Sequence, residues 1–352
     1  MSETRPLKIA MISYYLPSGS KIGVGHQVHA LANGLVERGH DVTVFSGCGP
    51  SDGARYTTVQ IPLAGALRTF RFATALRRVD LSGFDVLHAH GDDYWLWRRR
   101  VPAHVRTMHG SCFEEARRIK GAKEKLRMVA LGLGEELATI VADRTVVVSP
   151  DTRRWMPWVK TVIPNGVDGR RFSPGAGPLA ERPTILFVGT YLQRKRGRLL
   201  MEAFSDVVRP AIPDAELWMV STDAPPASGV VQWGRVDDET LVDLYRKAWV
   251  FCLPSLYEGF GIPYAEALAA GTPVVATPNP GSRYVLQDGT CGVLAEDSQL
   301  GSALLGLLND PGERERLSHQ GVERSRQFEL QSVLDSYERL YRTTAARRRP
   351  AG

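Results

Sequence analysis

The strongest constraint on the fold is an alternation of short apolar runs with helical patterns that starts twice in one chain. In the first half, residues 8–13 read as a strand. Positions 28–38 place Val28, Leu31, Ala32, Leu35 and Val36 on one helical face that ends at Gly39, and residues 41–45 form the next strand. Further strands are expected at 86–87, 105–108 and 145–149, with room for helices between them. The second half restarts at 184–189, continues through a helix at 199–204, and adds strands at 216–220, 230–232, 250–253 and 273–276. Such alternation predicts an α/β fold in which each half is a doubly wound parallel sheet with helices on both faces.

Between the halves, residues 172–183 are rich in Gly and Pro, as a linker is. The expected division is a first domain over 1–173, a second over 174–328, and a closing segment over 329–352. Phe328, Val333, Leu334, Tyr337, Leu340 and Tyr341 give 325–342 helical spacing, so this segment is expected to cross back to the first domain before a basic tail. A length of 352 residues favours two cores over one. In open α/β sheets ligands bind beyond the carboxyl ends of the strands, so the expected site is a cleft lined by loops of both domains.

The formal charge is +6, and 36 of the 44 basic residues are Arg. Coding bias in a GC-rich genome accounts for that skew without a partner. The bunching of Arg68, Arg71, Arg77 and Arg78, of Arg98, Arg99 and Arg100, and of Arg117, Arg118, Lys120, Lys123, Lys125 and Arg127 also fits an anionic acceptor or membrane surface. The stretch 117–127 reads either as a solvated helix face or as an amphipathic element on anionic lipid. Cys48, Cys112, Cys252 and Cys291 have no metal-ligand spacing, which favours reduced thiols. With no apolar stretch of about 18 residues and no leader pattern, the expected location is cytoplasmic, at most peripheral to the inner face of the membrane. Nothing points to nucleic acid.

The most informative motif is Glu258-Gly259-Phe260-Gly261-Ile262-Pro263-Tyr264-Ala265-Glu266. A buried strand precedes it, a glycine turn bares backbone N–H groups, and Pro263 is placed to start a helix. A helix N-terminus behind bare amides attracts phosphate, and flanking carboxylates accept hydrogen bonds from sugar hydroxyls. A sugar joined to phosphates satisfies both. Taken singly, Glu258 and Glu266 also read as a cap and a dipole partner.

Gly23 and Gly25, in the loop after the first strand, are candidates for close approach to phosphate or sugar. His88, His90 and His109 close strands, and each reads as a sugar-facing donor or as a structural histidine, with His109 the functional candidate. Lys195, then Arg194, are candidates to neutralise a departing pyrophosphate beside Gly189 and Thr190. Asp237 or Asp238 suits a helix N-cap, and the backbone of Val236 suits a nucleobase. No metal ligands are identified.

Together these residues resemble retaining glycosyltransferases of family 4. The resemblance spans nearly the whole chain. It is carried by Glu258 to Glu266 with the following Ala267-Leu268-Ala269-Ala270-Gly271-Thr272-Pro273, by Ile163-Pro164-Asn165-Gly166-Val167-Asp168 with Phe172, by Arg38-Gly39-His40-Asp41, and by Arg194-Lys195. The resemblance implies the GT-B fold of two Rossmann-like domains. It also implies that Glu266 holds the nucleotide ribose and Glu258 the sugar hydroxyls, with amides at Gly259, Phe260, Gly261 and Ile262 on sugar and phosphates. Lys195 would bind pyrophosphate and His109 would face the donor sugar.

The implied activity is a retaining transfer of a hexose from a nucleotide diphosphate sugar, UDP ahead of GDP, to an acceptor hydroxyl, with no metal or other cofactor. A small molecule, a glycan or a lipid-linked molecule fits as acceptor. Two features depart from the family: Ile22 stands where paired glycines are usual, and Thr190 where Arg is usual. Arg194 or Arg196, the latter at a usual Gly position, is expected to compensate. Competing readings are a GT-B sugar phosphorylase, a nucleotide-sugar epimerase, and a non-catalytic two-domain sugar-binding protein.

Overall fold

The computed structural model describes residues 5–19, 23–63, 65, 68–97, 101–118 and 121–348. Ile22, the run Arg98 to Arg100, Lys120 and the tail from 349 lie outside the described residues.

The chain forms two units, Met1–Gly166 with Leu330–Gly352, and Val167–Glu329. The first crossing therefore lies before 173. The reason is that Arg246 donates to the backbone oxygens of Ser173 (2.8 Å) and Arg171 (3.0 Å), and Phe172 packs edge-on against Tyr245, fastening 171–173 to the second unit.

In the first unit, seven described strands pair in parallel: β1 (Lys8–Ile12), β2 (Asp41–Ser46), β3 (Thr57–Gln60), β4 (Val86–Ala89), β5 (Ala103–Met108), β6 (Arg144–Val147) and β7 (Thr161–Val162). Their order is β3-β2-β1-β4-β5-β6-β7. Alternate residues of β1 serve opposite faces. Ile9 and Met11 join Leu31, Leu35, Leu334, Tyr337 and Tyr341 in one core, while Ala10 and Ile12 join Phe72 and Leu76 in the other. Helices Gly23–Glu37 and Leu330–Arg348 thus cover one face and helix Arg68–Leu76 the other. Edge strands β3 and β7 are missed by periodicity, because β3 is short and largely exposed and β7 has two residues.

The closing helix returns to the first unit as expected. A Cβ on Gly34 would come 2.6 Å from Leu334, so glycine permits this helix packing. Arg38 bonds Asp335 (2.7 Å) and Gln331 (2.8 Å), and His40 pairs with Glu338 (2.7 Å). These contacts give Arg38 and His40 a mechanical role: they seat the crossing helix.

The second unit repeats the plan with β8 (Thr184–Val188), β9 (Glu216–Val220), β10 (Val230–Gln232), β11 (Val250–Leu253), β12 (Val274–Ala276) and β13 (Val293–Leu294). All pairs are parallel, in the order β10-β9-β8-β11-β12-β13. Both sheets reverse strand order at their first strand, the point where loops at the carboxyl ends diverge and a ligand can enter.

Candidate active site

In the second unit β8 and β11 are neighbours, so the loops that follow them meet. Glu258, from the loop after β11, is buried, and its Oε1 lies 2.8 Å from Lys195 Nζ, 2.9 Å from Arg194 Nη1 and 2.7 Å from Ser255 Oγ. Burial alone raises the Glu258 pKa. The charges of Lys195 and Arg194, with hydrogen bonds from Lys195 and Ser255, outweigh it and hold the carboxyl below its ordinary range. One carboxylate between two cations leaves a positive balance for an anion.

The loop conformation explains why the cations converge. Gln193 and Arg196 both take positive φ (67° and 54°), which curls 193–196 into a tight turn. The side chain of Arg196 donates to Pro254 O (2.6 Å) and Thr277 Oγ1 (3.0 Å) and pairs with Asp297 (2.7 Å). Arg196 thus fills a left-handed position usual for glycine and braces the loop. Of the two expected compensators for Thr190, Arg194 is the one beside Lys195; Thr190 itself is exposed after β8. Asp223, missed in the sequence, accepts from the amides of Tyr191 (2.9 Å) and Leu192 (3.4 Å) and fixes the start of this loop.

The Gly259–Gly261 turn sits on a prepared platform. Gly261 has φ +93° and N-caps helix Ile262–Ala269, and a Cβ there would fall 2.3 Å from the Tyr264 ring. Phe260 is buried against Tyr284 and Phe328. Tyr264 Oη donates to Leu253 O at 3.0 Å, anchoring the helix to β11. Gly281 N donates to Glu258 O (2.9 Å), and a Cβ on Gly281 would come 2.5 Å from Phe260 O. Asn279, in a capping box with Ser282, donates to Ser255 O at 3.1 Å. Ser255, Asn279 and Gly281 were missed; the pattern Asn279-Pro280 before Ser282 was a readable cap signal, whereas Gly281 carried none.

Glu266 lies in helix Ile262–Ala269 and accepts from Tyr245 Oη at 3.2 Å. Burial raises its pKa to about 7 against the opposing Tyr245 hydrogen bond and Arg171 charge. Asp237 is the N-cap of helix Asp238–Lys247, accepting from Thr240 N at 2.7 Å, and half-buried Val236 precedes it.

In the first unit, Gly23 and Gly25 fall in the first turn of helix Gly23–Glu37. Gly25 is there for packing, since a Cβ would come 3.1 Å from the Tyr15 carbonyl and Leu16 Cα. His88 is fully buried between Tyr341 Oη (2.6 Å) and Thr107 Oγ1 (2.8 Å), a structural bridge from the sheet to the crossing helix. His90 Nδ1 and His109 Nε2 share a hydrogen bond of 2.9 Å at the ends of β4 and β5. Burial outweighs the raising effect of the neighbouring Asn165 side chain and lowers the His109 pKa to about 4, so its imidazole is neutral at pH 7. It can donate or accept a hydrogen bond, but it is not a standing cation.

A family model described as "Glycosyltransferase Family 4" matches residues 22–171, and one described as "Glycosyl transferases group 1" matches 182–310. The chain is 30% identical to the phosphatidyl-myo-inositol mannosyltransferase of Mycobacterium leprae, covering 96% of this chain and 97% of that one. It is 29% identical to the D-inositol 3-phosphate glycosyltransferase of Geodermatophilus obscurus, over 74% of this chain and 67% of the relative. Its fold matches the sucrose-phosphate synthase of Thermosynechococcus elongatus (TM-score 0.79, 21% identity, 97% and 99% covered). It also matches Anabaena HepE in complex with UDP-glucose (TM-score 0.76, 14% identity, 96% and 100% covered). The two parallel sheets are those of a GT-B fold, and the chain belongs to glycosyltransferase family 4.

Proposed function

We propose that this glycosyltransferase moves a hexose from a nucleotide diphosphate sugar to an acceptor hydroxyl with retained configuration and without a metal. The observation that carries this reading is the convergence of Lys195 and Arg194 on Glu258 beside the Gly259–Gly261 turn. The two cations take the pyrophosphate and stabilise the negative charge that grows on it as the glycosidic bond breaks. Glu258, released from them, accepts from the sugar hydroxyls, and the amides at Gly259, Phe260, Gly261 and Ile262 hold sugar and phosphate. Glu266 takes the ribose, the backbone of Val236 the base, and Thr190 supplies a hydroxyl near the phosphates. His109 is the first unit's contact to the donor sugar, in its neutral form. Of the two glycines at the start of the first helix, Gly23 is the one that allows approach to the donor, Gly25 being held by its packing on Tyr15 and Leu16.

UDP is favoured over GDP, since the HepE neighbour holds UDP-glucose. The names of the relatives favour an acceptor bearing inositol, phosphorylated or lipid-linked. The test is a panel of nucleotide sugars scored by thermal shift, then donor hydrolysis and transfer with the sugar that stabilises most. A UDP-hexose that raises the melting temperature and is transferred to an inositol acceptor as the α-product from an α-donor supports the reading. Inverted product overturns the stereochemistry, and epimer formed without acceptor overturns the reaction.

A further inference from the structure

Helix Ala122–Val141 presents its apolar side outward. At about 3.6 residues per turn, Ala122, Leu126, Ala130, Leu133, Leu137 and Ile140 fall on one face about 80° wide. All six are exposed, Leu126 by 71% and Ile140 by 74%. The opposite side packs inward through Met128, Gly132, Ala138 and Thr139. A helix that buried its leucines would show the reverse pattern.

Amphipathic residues pack beside this helix. Half-exposed Trp158 is tied to its inward side, Nε1 donating to Thr139 Oγ1 at 3.1 Å near the C-terminal end. Exposed Trp95 and Trp97 stand beside Tyr94, whose ring is 3.4 Å from the position of a Cβ on Gly134. Exposed cations lie at both ends: Lys123 and Lys125 at the start, Arg153, Arg154 and Lys160 on the segment carrying Trp158. The acid in the first turn, Glu124, is paired with Arg127. No described helix is long and apolar enough to cross a membrane.

We propose that this face lies on an anionic lipid bilayer, the leucines entering the acyl boundary while the tryptophans and cations sit at headgroup level. The charges favour a bilayer over a second copy of the chain. Antiparallel pairing of two such helices would set Lys123 and Lys125 of one against Arg153, Arg154 and Lys160 of the other. The surface is the outward apolar stripe, not the basic face of 117–127 singled out from the sequence. Its purpose rests on the reading of a lipid-linked acceptor, but binding is measured without turnover.

The experiment is co-sedimentation of the full chain with vesicles of phosphatidylcholine alone or mixed with phosphatidylglycerol, at low and high salt. Expected is binding to mixed vesicles that high salt weakens without abolishing. The pair Leu126→Glu with Leu133→Glu should lower it at least about tenfold. Lys123→Glu with Lys125→Glu should weaken binding to mixed vesicles only. An unchanged thermal shift with the donor shows that each variant is folded. Failure to bind mixed vesicles, equal binding by the leucine pair, or a concentration-dependent dimer that this pair abolishes overturns the proposal. If vesicles bind but only water-soluble acceptors are glycosylated, the lipid-acceptor reading falls and the docking surface stands.

Discussion

Lys195 Nζ stands 2.8 Å from Glu258 Oε1, so the cation proposed for phosphate and the carboxylate proposed for sugar form one ion pair. Replacing Glu258 by Ala is therefore expected to lower kcat by about 100-fold or more, because a sugar contact made in the transition state is lost. UDP affinity should stay level or rise, since two cations lose their internal partner. Isothermal titration beside steady-state kinetics checks this, and a parallel fall in both would refute the separate roles.

Arg194 and Arg196 should separate cleanly. Arg194→Ala is expected to raise the donor KM by about tenfold, the scale of one charge-assisted hydrogen bond. Arg196→Ala should instead lower the melting temperature by several degrees, because it frees the loop from Pro254, Thr277 and Asp297. A donor KM that responds to Arg196 alone would reverse the assignment.

The raised pKa of Glu266 makes a pH prediction whose sign is fixed. The folded state holds this proton up to about pH 7, whereas the unfolded chain releases it near the ordinary Glu value of about 4.3. Its contribution to stability is thus full in acid and is lost as pH rises through about 7. Glu266→Gln should flatten that part of the profile of melting temperature against pH. It should also remove an inflection near pH 7 from UDP binding, leaving only the titration of the nucleotide itself.

Gly261→Ala tests the turn. Its φ of +93° and the 2.3 Å approach to Tyr264 admit no side chain without displacing that ring. A stability loss of about 1–3 kcal/mol is expected from the backbone alone, seen as a shift of the urea midpoint. Donor binding should weaken with it, because the same residue aims the first amides of helix Ile262–Ala269.

Metal independence is tested by chelation. Activity measured with EDTA should equal that of the untreated protein, and added Mg²⁺ should not raise it. Loss of turnover on chelation, restored by a divalent ion, would put the pyrophosphate charge on a metal instead of Lys195 and Arg194.

How much was legible in the sequence follows from the range of each interaction. The strands 216–220, 230–232 and 250–253 and the helix 238–247 were readable to the residue, because apolar runs and caps are local signals. The paired glutamates with their glycine turn were readable because they lie within nine consecutive residues at a strand-helix junction. Helix Ala122–Val141 was expected only as a basic stretch, since a stripe of leucines every third or fourth residue looks the same facing a core or facing out.

Sequence by itself determined that the chain would build two parallel α/β sheets and place a glycine turn between Glu258 and Glu266, the motif proposed for the donor. Tertiary structure alone decided what the side chains beside that motif do. Arg196 became a brace and Arg194 a partner of Glu258, because a turn with two positive φ angles aims one inward and the other across the loop. It likewise made His88 a buried bridge to Tyr341, 253 positions along the chain, and left His109 neutral at a strand end. Burial and long-range pairing set these roles, and neither is written in local spacing.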